Sequence, residues 1–241
     1  MTEKISSNLH NQDFSTINNR IAQPSSELYT VFSKQEILNL IEALKTRREI
    51  PLKYSYKGAG ANIWDNFYRK LIIPNWYRSN VEIQLLRDNF EYLNDNTQNN
   101  HKVNIIDVGA GNSYPVKEYI RKLDKLGRID RYTALDISEE LLEVSKSNFT
   151  KWFPFIKYTN SYIDIENSPI PEYLLYQHNI NIFLHLGVTI GNLQHRVKAF
   201  KNFRQSMGEN DLLVLTNEIG SNSQWDGIAR GGCYYHAEQI Y

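Results

Sequence analysis

Val103-Asn104-Ile105-Ile106-Asp107-Val108-Gly109-Ala110-Gly111-Asn112-Ser113 is the stretch whose reading decides the fold. Val103, Ile105, Ile106 and Val108 form a short apolar run of strand length, broken by two glycines. After them Val116, Tyr119, Ile120, Leu123 and Leu126 recur on one side of a helix. Gly109 permits a tight turn. Gly111 lets a ligand approach the backbone where a Cβ would obstruct it. The third glycine of the dinucleotide fingerprint is missing, and Pro115 stands nearby.

The alternation continues downstream. Tyr132 to Asp136 reads as a second strand, followed by a helix capped by Ser138 that carries Leu141, Leu142 and Val144. A third strand is expected near Phe155 to Asn160 and a fourth over Ile180 to Leu186. A helix over Val197 to Met207 leads to a fifth strand, Leu212 to Thr216. Strands alternating with helices imply parallel strands joined by right-handed crossovers. About twenty residues follow the fifth strand, against the ~40 that a further helix and a two-strand hairpin would need. The C-terminal part of such a sheet is therefore expected to be missing, through truncation or because a fused or partner domain completes it.

Upstream of the sheet the pattern is helical. Residues 1–32 read as a loosely ordered arm. Ser33-Lys34-Gln35-Glu36 has capping-box form and opens a helix with Ile37, Leu40, Ile41 and Leu44 on one face. A glycine- and tyrosine-bearing loop, Lys53 to Gly60, precedes a helix around Ile63 to Leu71. Pro74 interrupts, and a second capping box, Ser79-Asn80-Val81-Glu82, starts a helix running towards Leu93. The expected division is an arm (1–32), a helical lobe over the substrate site (33–100), a Rossmann-like domain (101–219) and a tail (220–241).

Composition narrows the function. Lys+Arg and Asp+Glu both number 27, which argues against a nucleic-acid backbone as partner. One cysteine, Cys233, excludes an intramolecular disulfide and a cysteine-rich zinc site. The six histidines lack metal-ligand spacing. Met1 to Arg20 has no apolar core of a signal peptide, and no apolar run approaches the ~20 residues of a membrane span. A cytoplasmic protein without membrane contact is expected.

Four segments carry candidate chemistry. Gly109 and Gly111 form the ligand-approach turn. Asp136, at the end of the second strand, suits ribose hydroxyls. Asp164 follows the third strand, where a carboxylate can accept from the exocyclic amine of adenine while Ile165 packs on the ring. Leu186-Gly187-Val188-Thr189-Ile190-Gly191-Asn192-Leu193 follows the fourth strand, where ligands of open α/β sheets gather. Asn192 offers an amide that both donates and accepts, suited to an amino or carboxylate group. The first two segments alone serve a nicotinamide dinucleotide and S-adenosylmethionine equally well.

Together, Asp107 to Ser113, Leu135-Asp136-Ile137-Ser138, Asp164-Ile165-Glu166 and above all Leu186 to Leu193 resemble the histidine-specific methyltransferase family. That family includes the ergothioneine-pathway enzyme that trimethylates the α-amine of histidine. Pro51 to Gly60 with Trp64-Asp65 resembles its entry motif, and Trp76-Tyr77-Arg78-Ser79-Asn80-Val81-Glu82 its next one. The resemblance implies a class I methyltransferase sheet and S-adenosyl-L-methionine held by Gly109, Gly111, Asp136, Asp164, Ile165 and Gly187. It implies that Asn192 grips the α-amino or carboxylate group of a small-molecule or peptide acceptor, with Tyr56, Trp76 and Tyr77 lining the pocket. Two departures stand out. Pro115 replaces a lysine near the cofactor, and the family's C-terminal Glu and Ser, which recognise imidazole, have no counterpart before Tyr241. Histidine itself is thereby disfavoured as acceptor.

No residue pair reads as a general base, and Tyr56 or Tyr77 are candidates only to orient an amine. Three alternatives stay open: the methyltransferase half of a bifunctional enzyme acting on a peptide carboxylate, a nicotinamide-dependent oxidoreductase, and a non-catalytic cofactor-binding domain. The oxidoreductase is weakened by the missing glycine and by the lack of a Tyr-x-x-x-Lys proton donor.

Overall fold

The structure is a computed structural model that describes residues 25–72, 77–97, 101–176, 179–187 and 189–217, with 71, 72 and 77–81 described in backbone only. It divides into two units, 1–48 and 49–241. In the first, α1 (Ser26–Val31) precedes α2 (Lys34–Arg47). The capping box at Ser33 forms as the sequence predicts, with the Ser33 side chain accepting from Glu36 N–H and Glu36 accepting from Ser33 N–H. The arm expected over 1–32 thus contains a helix, α1, which a six-residue segment hides from any periodicity search.

The second unit opens with a 3₁₀ turn, Leu52–Tyr56, then α3 (Ala59–Phe67), a π turn (Tyr68–Ile72), α4 (Tyr77–Asp88) and α5 (Phe90–Asp95). Gly60 is required where it is, because a Cβ there would stand 2.0 Å from the Ser55 carbonyl oxygen. Two expectations change. The helix read as running unbroken to Leu93 divides at Asn89. Ser79 is not a cap, since α4 has already begun at Tyr77. The chain is already helical three residues before the position the motif would set as the first helical residue.

The sheet contains β1 (Val103–Val108), β2 (Ile129–Asp136), β3 (Lys157–Tyr162), β4 (Ile180–His185) and β5 (Leu212–Leu215). Every pairing is parallel and the order is β3-β2-β1-β4-β5. α6 (Lys117–Lys125), α7 (Glu139–Trp152), the short α8 (Thr189–Asn192) and α9 (Arg196–Ser206) are the helices of the crossovers. This is the Rossmann-like arrangement, in which the strand order reverses at β1 and the crevice beyond the carboxyl ends of β1 and β4 receives ligands.

Two apolar clusters sandwich the sheet. Ile105, Tyr132, Ala134 and Leu184 pack with Tyr119, Ile120 and Leu123 of α6 and Phe149 of α7 on one face. Ile106, Leu135 and Phe183 pack with Ala199 and Phe203 of α9 on the other. β1 is buried along its whole length, as both-sided cover demands, whereas β3 at the edge is only partly buried. No helix among the described residues is long and apolar enough to cross a membrane.

Candidate functional site

The glycine turn takes the conformation that its residues predict. Gly109 (φ 78°) and Gly111 (φ 52°) are both left-handed. Gly109 N–H and Ala110 N–H donate to the Leu135 carbonyl at 2.8 and 3.1 Å, folding the turn against the end of β2. A Cβ on Gly111 would stand 2.8 Å from Trp64 Cη2, so α3 lies directly on the turn. Asp65 beside it accepts from the Asn112 amide at 3.0 Å and pairs with Arg69 at 2.7 Å. Asn148 of α7 donates to the Asn112 carbonyl.

Ser113 occupies the next left-handed position (φ 59°) without being glycine. Its hydroxyl sits in a buried chain that explains how. Tyr132 donates to Asp107 Oδ2 at 2.6 Å, Ser113 Oγ lies 2.8 Å from Tyr132 Oη and 2.6 Å from Ser145 Oγ, and Ser145 Oγ lies 2.9 Å from Tyr158 Oη. These bonds offset a backbone cost of about 1 kcal/mol for a left-handed side-chain-bearing residue.

Asp136 closes the turn. Its Oδ2 accepts from Gly111 N–H and its Oδ1 from Ser138 N–H, both at 3.0 Å. Ser138 meanwhile caps α7 by accepting from Leu141 N–H, as the sequence predicts. Burial pushes the Asp136 carboxyl up to about 6, against the pull of backbone N–H groups of Gly111, Ser138 and Ile137. A carboxylate has about four acceptor sites, so Asp136 retains capacity for a ribose hydroxyl.

Asp107, at the end of β1, is raised further, to about 7. Burial is the largest cause; the Tyr132 bond pulls down, and the charges of Asp136 and Glu82 push up. Tyr56 ends the 3₁₀ turn edge-on to Trp64, ring centroids 6.2 Å apart. Burial and the charge of Asp136 push its phenol up to about 12, so Tyr56 is a hydrogen-bond donor and no base at neutral pH.

Asp164 lies just beyond β3, where Ile163 N–H donates to the Asp136 carbonyl at 2.9 Å. Its Oδ1 accepts from Glu166 N–H at 3.0 Å, and Lys53 Nζ reaches Asp164 Oδ2 and Glu166 Oε2, both at 2.9 Å. Ile165 is buried beside it among the residues of the α9-face cluster. Glu166 in turn accepts from His195 N–H at 2.7 Å, linking the β3 and β4 loops.

Beyond β4, Gly187 is left-handed (φ 78°), and a Cβ on it would stand 3.4 Å from Thr189 Oγ1. A Cβ on Gly109 would stand 3.7 Å from Thr189 Cγ2. The β1 and β4 turns therefore meet at Thr189, whose hydroxyl donates to the Leu186 carbonyl. Gly187 N–H donates to Glu82 Oε1 at 2.7 Å, and Thr216 Oγ1 donates to the same oxygen. His185 behind them has its imidazole pulled below its ordinary value by burial, lies with Nδ1 2.8 Å from the Val108 carbonyl oxygen and packs edge-on to Phe203.

The structure thus brings Gly109, Gly111, Asp136 and Tyr56 together, with Gly187 across Thr189, Asp164 tied to the 3₁₀ turn through Lys53 and Ile165 buried next to it in the chain. Asn192 is exposed at the end of α8. Trp76 lies outside the described residues, and of Tyr77 only the backbone, at the start of α4, is described. Sequence reasoning gave no role to Asp107, Glu82, Lys53 or Trp64. All four had a signal only as members of quoted motifs, with no role of their own. No group of three metal-ligating side chains gathers among the described residues. The donors fit an adenosyl ligand: left-handed turns a Cβ would encumber, an acid for a diol, and an acid with a buried isoleucine for an adenine edge.

Comparison with known proteins gives the same answer. A protein of the fungus Neurospora crassa, ergothioneine biosynthesis protein 1, is 26% identical over 187 residues, covering 76% of this chain and 20% of that protein. A non-reducing polyketide synthase, sorB of Penicillium rubens, is 30% identical over 134 residues, covering 56% of this chain and 5% of the synthase. The chain thus spans a fifth or less of the length of these relatives. Among solved structures, the CMeT domain of the citrinin polyketide synthase superposes with a TM-score of 0.48 at 22% identity, covering 73% of this chain and 44% of that one. The model of the histidine-specific, S-adenosylmethionine-dependent methyltransferases matches residues 34–225. The chain is a member of that family, the histidine-specific, S-adenosylmethionine-dependent methyltransferases.

Proposed function

We propose that the protein transfers a methyl group to the amino or carboxylate group of an amino acid, peptide or related amine. The observation that carries this reading is the meeting of the β1 and β4 turns at Thr189. It sets the Gly187–Asn192 loop directly against the turn assigned to the cofactor. The family match, which spans the helical segment as well as the sheet, supports it.

In this reading Gly109 and Gly111 admit the cofactor to the backbone, Asp136 takes the ribose hydroxyls, and Asp164 with Ile165 receives the adenine. Gly187 leaves room at the β4 turn. Asn192 and Tyr56 orient the acceptor, with Trp76 and Tyr77 as further pocket residues. When bound, S-adenosylmethionine supplies an activated methyl group on a sulfonium that departs as a neutral thioether. The chain's part is alignment, to a reacting distance of ~3 Å, and exclusion of water. Tyr56 keeps its proton at neutral pH, so it can donate to a carboxylate or accept from an amine N–H through its oxygen, and does not remove the amine's proton.

Incubating the protein with a labelled methyl donor and a panel of amines, amino acids and short peptides, followed by mass spectrometry, tests the assignment. A labelled amine or carboxylate is the expected product. Asn192→Ala should abolish its formation while S-adenosylhomocysteine still binds. Methylation confined to carbon or oxygen atoms of acceptors lacking both groups would refute it.

A further inference from the structure

Glu82 holds a position that its structural duty does not explain. It lies half-buried on α4 and reaches across 105 residues to accept from Gly187 N–H at 2.7 Å and across 134 residues to accept from Thr216 Oγ1. Both donors use one oxygen, Oε1, and both are neutral. A glutamine amide would accept the same two bonds without bringing a charge to the crevice. The crevice already holds Asp107 at the end of β1 and Asp136 at the end of β2. Among the described residues no ion pair joins any of these three carboxylates to a lysine or arginine, although Lys53 and Arg69 are paired with other acids close by. Glu82 adds to the electrostatic load on Asp107, whose carboxyl is pushed up by its charge as well as by that of Asp136. An accumulation of negative charge that no ion pair among the described residues offsets is costly unless the ligand brings a cation.

The family's cofactor brings one. Before transfer it carries a sulfonium; afterwards the same sulfur is a neutral thioether. We propose that Glu82 is a charge-reading residue of the cofactor site: its carboxylate favours the sulfonium ligand over the thioether product, while its two hydrogen bonds hold the β4 and β5 ends in place. The inference rests on cofactor use and is independent of which acceptor is methylated. Loss of the positive charge on transfer weakens the hold on the product, which a protein must release before it can turn over again.

The test compares two ligands in titration calorimetry, with no acceptor present: S-adenosylhomocysteine, and sinefungin, which carries an ammonium where the sulfonium stands. The wild-type protein should bind sinefungin more tightly. Glu82→Gln, which keeps both hydrogen bonds, should lower that preference about three- to tenfold, mainly by weakening sinefungin, as expected for a partly screened charge. Thr216→Val removes one donor and leaves the charge, and should retain the wild-type preference. The proposal is overturned if Glu82→Gln leaves the preference unchanged with its melting temperature intact. It is equally overturned if Thr216→Val lowers the preference as much, since geometry and not charge would then be responsible. Failure of the wild-type protein to bind either ligand would also overturn it, whereas failure to find an acceptor would touch only the proposed reaction.

Discussion

At the β1–β2–β3 end of the crevice, Asp107, Ser113, Tyr132, Asp136 and Ser145 are all buried and bonded to one another or to backbone. At the β4–β5 end, Gly187 and Asn192 are exposed, β5 is only partly buried, and one half-buried carboxylate, Glu82, joins the loop to the strand. The first end is a fixed mould, its polar groups bonded within the protein. The second keeps its polar groups available to solvent. An invariant cofactor rewards preorganisation, because each group already in place spares the ordering cost on binding. In the proposed reading the acceptor is met by residues that the fold leaves less constrained.

The sharpest way to break this contrast is Gly111→Ala. The substitution forces a Cβ into a left-handed residue and to within 2.8 Å of Trp64 Cη2, inside the stack that Trp64 makes with Tyr68 at 5.2 Å. Strain and overpacking together cost about 2–5 kcal/mol, so S-adenosylhomocysteine should bind at least about thirtyfold more weakly in calorimetry. Gly127→Ala is the control: it is left-handed too (φ 63°), but nothing lies within 4 Å of its Cβ. It should lose only about 1 kcal/mol of stability and no affinity.

Asp136→Asn should come next, with a loss of about ten- to a hundredfold in affinity for S-adenosylhomocysteine, since an amide cannot replace a carboxylate that accepts from both backbone and diol. The same acid predicts a pH dependence. With a carboxyl near 6, Asp136 is ionised at neutral pH and takes up its proton below it, so affinity should fall as pH drops through about 6. Stability of the unliganded protein should run the other way. Asp107 and Asp136 bind protons more tightly folded than unfolded, so stability contributed below the ordinary carboxylate value of 3.8 is lost as pH rises towards 6 and 7. Melting curves across that range should slope downward, and Asp107→Asn should flatten them.

Tyr132→Phe sharpens the comparison from inside the mould. It leaves Asp107 without its 2.6 Å donor and Ser113 with one hydroxyl partner fewer. The expected cost is about 1–3 kcal/mol in denaturant unfolding, as for a buried polar group left unpaired. A change within 0.5 kcal/mol, the range of ordinary surface substitutions, would show that the hydroxyl chain is ornament to the turn and not its support.

What could be read from the sequence follows the same division. Gly109, Gly111, Asp136 and Ser138 were legible because strand, turn and helix cap are local patterns, and their spacing alone states the geometry. The parallel sheet was legible for the same reason. Ser113 was not, because a left-handed serine has no local signature; it is held by Tyr132 and Ser145, 19 and 32 residues away. Glu82 and Lys53 were invisible as site residues since their partners are more than a hundred residues distant. Breaks between helices at Asn89 and the early start of α4 escaped because packing, not propensity, sets them.

Lys53 gives the smallest effect and the finest distinction. It crosses from the 3₁₀ turn to Asp164 and Glu166, and its side chain is 20% exposed. Burial pulls the ammonium down, but bonds and charge from both acids outweigh it and raise it above its ordinary value, so it stays a cation throughout the working range. Part of that attraction is screened by water, and Glu166 keeps its bond from His195 N–H without the lysine. Lys53→Ala should therefore cost about 1 kcal/mol or less of stability and change affinity for S-adenosylhomocysteine by no more than about twofold. Asp164 would keep its bonds from Glu166 N–H and Asn167, and so its position. A tenfold loss of affinity would mean that the turn carrying Tyr56 is held over the adenine by this lysine, and the mould would then extend beyond the sheet into the helical segment that covers it.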